Sequence, residues 1–259
     1  MKLPIYQIDA FAEKRFEGNP AAVVPLEQWL PDETMQAIAE ENNQAETAFF
    51  VPESSGYRIR WFTPNKEVKL CGHATLASAY VLFHFLGYED TSVTFSSLSG
   101  DLRVSKKGNL LTLDFPVQPP EACDAPPALI AGLGREPTEC LKQEDYIAVF
   151  ENASDVRDLD PNHEAFKQLD LRGVIATAPA QECDFIVRFF APKFGIPEDS
   201  VTGSAYTQLT PYWANKLNKL SLSAKQVSAR GGKLQCELQE KRVLISGSAV
   251  TYMQGSIEI

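Results

Sequence analysis

RWFTPNKEV, residues 60–68, returns in altered form as RFFAPKFGI, residues 188–196. Both open Arg, aromatic, Phe, small residue, Pro, at an offset of 128 residues (188 − 60), close to half of the 259-residue chain. Each is followed about ten residues on by a cluster of small side chains, CGHATLASAY (71–80) and SVTGSAYTQL (200–209). Each cluster then opens an apolar run, VLFHFLGY and TPYWANKL. The same three features in the same order, half a chain apart, read as an internal duplication. Long-period self-similarity of this kind is settled before any choice of fold.

Each half reads as strand, turn, helix. Pro64 and Asn65 end the first of these strands, since proline lacks a ladder donor. The helix after Gly72 is apolar nearly all round (Leu76, Ala77, Ala79, Val81, Leu82, Phe83) and therefore belongs in the centre of its domain. A second helix, from about Ser204 to Leu217, carries no charge before Lys216 and is expected to be buried likewise, with Pro211 kinking it or marking a late restart. Alternating or apolar segments surround these helices: AAVVPL, ETAFFV, YRIRWF, SVTFSS, LRVSKK and LLTLDFPV in the first half, YIAVF, GVIATA, DFIVRFF, LSAKQVSAR, KLQCELQ and VLISGSAV in the second. Many strands with one buried helix per half predict an α+β protein of two domains, each a sheet curled around its helix. The five prolines between residues 116 and 127 predict an extended, semi-rigid linker. The expected domains are residues 1–117 and 118–259, with the C-terminal strand free to rejoin the first.

A hydrophobic fraction of 44% with 22% charged residues is that of an ordinary globular chain. The net charge of −10 repels phosphate backbones, so nucleic acid is not an expected partner. The N-terminal stretch lacks the apolar core of a signal peptide, and the uncharged stretch Gly72 to Tyr88 is too short and polar for a membrane span. A cytoplasmic protein with no membrane partner is the expectation. The five cysteines are odd in number, widely spaced and without CxxC, which fits a reduced compartment and not a disulfide framework. No HxxxH occurs and Cys71 with His73 is the only close Cys/His pair, so no metal is expected.

Chemistry has a small number of candidate places. Gly72-His73-Ala74 and Thr202-Gly203-Ser204 open the two apolar helices, and a helix N-terminus with small residues exposes backbone N–H donors and partial positive charge to a ligand carboxylate. Close packing alone would explain the same glycines. Glu46, in NNQAETAFFV, is flanked by apolar residues; such a carboxylate loses solvation and holds its proton more readily than an exposed one, as a general acid/base near neutrality requires. It could equally be an exposed strand-start glutamate. His73 is a suitable partner or a structural cap, and Asp199, before the second helix, is a site residue or a helix cap. Cys71 at a helix start could be a thiolate nucleophile. A two-thiol racemase would need a second cysteine at the equivalent place, which holds Ser200-Val201.

IDAFAEKRFEGNPAAVV, NNQAETAFF, RWFTPNKEVKLCGHATLASAYVLF, EDSVTGSAYTQLTPYWANKL and SARGGKL together resemble the PhzF-like family of phenazine-biosynthesis isomerases. More distantly they are similar to diaminopimelate epimerases and proline racemases. The blocks stand in family order from residue 8 to about 234. The resemblance implies two pseudo-symmetric domains of the diaminopimelate epimerase-like fold, with the active site between them, and a homodimer. It implies a cofactor-independent isomerase in which Glu46 moves a proton between carbons of a small unsaturated carboxylic acid. His73, Asp199 and Ser204 would line the site, Gly72 and Gly203 would offer backbone donors to the substrate carboxylate, and Asn19 with Pro20 would form a cleft wall. Ser200 stands where the family pattern has Pro, and Tyr206 where a His is common; both are expected to alter the substrate pocket. A single-cysteine racemase or epimerase using Cys71, and a catalytically silent small-acid binder, are the alternatives.

Overall fold

The strand Gly56–Phe62 ends before Pro64 and Asn65, and in the second half Phe185–Phe190 ends before Pro192. The structure, a computed structural model, describes Met1–Ile259. The chain divides into two units, Met1–Phe115 with Ser246–Ile259, and Pro116–Ile245.

Unit 1 contains β1 (Lys2–Ala10), β2 (Asn19–Pro25), α1 (Asp32–Asn42), β3 (Glu46–Glu53), β4 (Gly56–Phe62), β5 (Glu67–Val68), α2 (Gly72–Phe85), β6 (Ser92–Ser96), β7 (Leu102–Lys107) and β8 (Leu110–Pro116). The C-terminal strand, Ala249–Glu258, pairs antiparallel with β1. The pairings run β1–β2 antiparallel, β2–β3 parallel, β3–β4 antiparallel, β4–β6 parallel and β6–β7 antiparallel. The period of two sorts the side chains onto two faces. Ala22, Val24, Phe49, Val51 and Phe62 pack with Met35, Ile38 and Ala39 of α1. Their alternates, Ala21, Val23, Ala48, Phe50, Ile59 and Trp61, are buried on the opposite face, where α2 packs along β1, β2 and β3. All of α2 from His73 to Ala79 is buried, which is why its sequence shows no polar face.

Unit 2 contains β9 (Glu121–Ala122), α3 (Pro127–Leu133), β10 (Glu139–Lys142), β11 (Tyr146–Val149), α4 (Ala153–Arg157), α5 (His163–Phe166), β12 (Val174–Pro179), β13 (Phe185–Phe190), α6 (Tyr206–Leu217), β14 (Ser221–Gln226) and β15 (Gly232–Gln239). Its pairings are β10–β11 antiparallel, β11–β12 parallel, β12–β13 antiparallel, β13–β14 parallel and β14–β15 antiparallel. This is the succession of unit 1, repeated. Tyr146, Ala148, Phe150, Val174, Ala176, Ile186 and Phe190 pack against Leu129, Leu133, Val156 and Phe166 of α3, α4 and α5. On the other face Trp213 of α6 stacks on Phe185, ring centroids 5.5 Å apart, and its Nε1–H donates to Thr177 Oγ1 at 3.1 Å. β16 (Arg242–Gly247) carries the chain back to unit 1.

The two arginines that open the repeat do the same work. Arg60 donates to both oxygens of Glu67, each at 2.7 Å, and lies over the Phe62 ring. Arg188 donates to both oxygens of Glu198, at 2.8 and 2.9 Å, and lies over the Phe190 ring.

One expectation is corrected and two features are added. The proline-rich segment is no plain spacer: Glu121 and Ala122 pair with β10, and Pro127 starts α3, where a fixed φ and a missing N–H are tolerated. The second helix opens with a single 3₁₀ turn, Gly203–Ala205, before α6, and Pro211 sits inside it. The outer helices α1, α3, α4 and α5 were not read from the sequence, although Met35, Ile38 and Ala39 show helical spacing. No helix is long and apolar enough to cross a membrane.

Candidate functional site

Glu46 is the first residue of β3, opposite Ala21 of the parallel neighbour β2. Paired residues share a face, so Glu46 projects with Ala21, and with Asn19 two residues earlier, towards the side of α2. The helix begins there. His73 Nε2 lies 3.1 Å from Glu46 Oε2, with side-chain exposures of 8% and 13%. The contact is close, yet the ring N–H is not directed along it, and Oε2 is buried without a hydrogen-bond donor. The same carboxylate thus has a charge partner and an unused lone pair.

Cys71 is the N-cap of α2, and its side chain makes no capping hydrogen bond. Position alone leaves the N–H groups of Gly72 and His73 without an intrahelical acceptor. The Cys71 sulfur lies 3.5 Å from His73 Nδ1. Burial, reinforced by Glu46, pushes this thiol up to about 11, so it keeps its proton at neutral pH. Burial works against a charged His73; the Cys71 sulfur and the Glu46 carboxylate outweigh it and hold the imidazole well above its ordinary value. Because Cys71 is neutral near pH 7, Glu46 is the partner that matters there.

Glu46, Cys71 and His73 also place an oxygen, a sulfur and a nitrogen within 4.8 Å of one another. The spacing of His and Cys along the sequence gave no hint of this donor set, because Glu46 joins it only through the fold. A thiophilic divalent ion would have to displace the Cys71 proton to bind.

Asn19, the first residue of β2, is buried. It follows a tight turn fixed by Asp9, whose Oδ2 accepts the Phe16 N–H at 2.9 Å. Gly18 there has φ +68°, and a Cβ would stand 2.1 Å from the Ala10 carbonyl oxygen. Only glycine fits that position.

Unit 2 assembles Asp199, Gly203 and Ser204 with side chains absent from the sequence-based set. Thr202 Oγ1 donates to Asp199 Oδ2 at 2.6 Å, and Gln226 Nε2 donates to the Asp199 carbonyl at 2.8 Å. The Thr202 N–H donates to Gln226 Oε1 at 2.9 Å. Ser204 Oγ accepts from Arg172 Nη1 at 3.0 Å. Arg172 is forked onto Asp145, which is wholly buried and also accepts from Gln208 Nε2 at 2.7 Å. Ser204 is therefore held by the half-buried Arg172, itself anchored on the buried Asp145. The available signal was Gln208, an amide in an apolar helix, which needs a buried partner. Tyr206 is wholly buried beside Phe185, its hydroxyl without a partner, and belongs to the core of unit 2. His84 and His163 take no part: the first is exposed and stacked on Tyr80, the second sits beside Phe166 and Phe190.

Two units of repeated topology, each with a sheet around a central helix, define an epimerase-like α+β protein. A hydroxyproline epimerase from Agrobacterium vitis has the same fold at a TM-score of 0.62 and 11% identity, over 99% of this chain and 92% of that one. The chain belongs to the PhzC-PhzF family, whose model, described as phenazine biosynthesis-like protein, matches residues 8–255. An uncharacterized isomerase of Pseudomonas aeruginosa is 49% identical over the full length of both chains. A PhzF family protein of Enterococcus faecalis has a crystal structure that superposes at a TM-score of 0.98, with 47% identity and complete coverage of both chains. The chain is thereby placed among the PhzF-like isomerases.

Proposed function

We propose that this protein isomerises a small unsaturated carboxylic acid by moving a proton with Glu46. The reading rests on one observation: a partly buried carboxylate, 3.1 Å from His73 Nε2, with a buried oxygen that accepts no hydrogen bond. Glu46 takes a proton from one carbon, and the C–H electron pair becomes the new double bond. The electrons of the old double bond reach the far carbon, which receives the proton back from Glu46. One carboxylate is then base and acid in turn. The His73 imidazolium balances its charge before the proton arrives and offers an N–H to negative charge developing on the substrate. The free N–H groups at the start of α2, Gly72 among them, hold the substrate carboxylate, and Asn19 bounds it.

The protonated state of Cys71 weighs against a thiol nucleophile. The test is proton exchange. Incubated in D2O with a panel of small β,γ- and α,β-unsaturated carboxylic acids, the protein is expected to introduce deuterium at the allylic carbon, read by NMR. Glu46→Gln is expected to reduce the rate by at least about 10³-fold with the circular dichroism unchanged. Full turnover by Glu46→Gln would overturn the mechanism, and exchange lost in Cys71→Ala but not in Glu46→Gln would favour the thiol.

A further inference from the structure

Cys123 and Cys140 face each other across two antiparallel strands. The register of β9 and β10 pairs Glu121 with Lys142 and Ala122 with Leu141. One step further the Cys123 N–H donates to the Cys140 carbonyl at 3.0 Å, and the two sulfurs stand 3.5 Å apart. Both thiols are half-buried at the edge of the unit 2 core. Directly opposed residues of an antiparallel pair have Cα atoms about 4.5–5.5 Å apart. That separation falls inside the range of about 4.4–6.8 Å that a disulfide spans. Side-chain rotation alone can therefore close the bond. No other cysteine has a sulfur neighbour: Cys71 contacts His73, Cys183 donates to the Phe185 carbonyl, and Cys236 is buried in β15.

We propose that Cys123 and Cys140 are a reversible oxidation site, closed to a disulfide by hydroperoxides and reopened by thiols. Burial, with the nearby Cys123, pushes the Cys140 thiol up to about 12, which suits Cys140 to the second, resolving step. The Cys123 sulfur attacks one peroxide oxygen, the O–O bond breaks, and a sulfenic acid and one water result. The Cys140 sulfur then attacks the sulfenic sulfur, the S–O bond breaks, and the hydroxyl leaves with the Cys140 proton as a second water. Two thiols lose two electrons and two protons, and hydrogen peroxide becomes two waters. The bond ties the proline-rich segment to the sheet and closes a loop containing α3. Disulfides in reducing compartments are characteristically of this transient kind. The site is independent of Glu46 and of the isomerase reading.

The experiment is peroxide treatment of the folded full-length protein, followed by thiol counting and non-reducing peptide mass spectrometry. Two of the five thiols are expected to disappear, in a single Cys123–Cys140 cross-link that dithiothreitol reverses. The oxidised form is expected to melt about 5–10 °C higher than the reduced one. Cys123→Ser and Cys140→Ser are each expected to keep the partner thiol out of any bridge. Retention of all five thiols, a bridge to Cys71, Cys183 or Cys236, or closure no faster in buffer than in concentrated urea would each overturn the proposal.

Discussion

His73 is where charge, burial and chemistry meet. Its imidazole is buried, and the Glu46 carboxylate, with the Cys71 sulfur, raises its proton affinity. A folded value above the unfolded one, about 6.5, means that its stabilising contribution is complete below that pH and is lost as pH rises through the folded value. In Glu46→Gln the burial term is left unopposed by a carboxylate, so His73 is expected to turn neutral in the neutral range. Long-range ¹H–¹⁵N spectra of the three histidine rings check this. An imidazolium that survives at pH 7.5 in the variant would show that Glu46 is not its partner. The residue types were legible in the sequence: ETAF and GHAT mark both groups. Their 3.1 Å approach was not, because 27 residues and a strand separate them and only the register of β2 with β3 brings Glu46 to the start of α2.

At the scale of elements, the repeat is carried by a strand-borne arginine that ties its own turn to the sheet. The two copies are not equal. Arg60 serves Glu67 and the exposed Asp32, whereas Arg188 also donates to the carbonyls of Val156, Arg157 and Leu159, at 3.3, 3.3 and 2.7 Å. Those carbonyls cap the end of α4 and the turn after it, where an unfilled acceptor is costly. Arg188→Met is expected to destabilise unit 2 by roughly 3–5 kcal/mol, and Arg60→Met to cost unit 1 about 1–2 kcal/mol. Denaturant melts of the two variants compare them, and equal losses would refute the asymmetry. The strands and both central helices were readable because alternation and an all-apolar helix are strong signals. Of the outer helices, α4 and α5 span five and four residues and hold their place by packing rather than by periodicity, whereas α1 does carry a readable signal in Met35, Ile38 and Ala39. The Arg172–Asp145 pair escaped for a related reason: its members lie on separate segments, 27 residues apart.

For the whole molecule, thiols set the alkaline limit. Burial first of all raises Cys71 and Cys183 to about 11 and Cys140 and Cys236 to about 12, from about 9. Between those limits the unfolded chain releases protons that the folded chain retains, so stability falls as pH rises. Tyr206, raised by its burial, acts in the same direction. The thermal midpoint is expected to decline gradually above about pH 6.5 as the His73 contribution is lost and to drop steeply from about 9 to 11, and a midpoint unchanged across that second interval would contradict the raised thiols. The count of cysteines was legible from the start; their depth was a property of the folded sheets.

A ribosome making this chain finishes unit 2 before unit 1. β1 lies between β2 and the C-terminal strand, in a register running from Lys2 opposite Glu258 to Ala10 opposite Ala249. One whole edge of β1 therefore waits for the ten residues of its partner strand, Ala249–Glu258. Until they emerge, the nascent chain presents an unpaired apolar edge, the kind of surface that recruits holding chaperones or a second nascent chain.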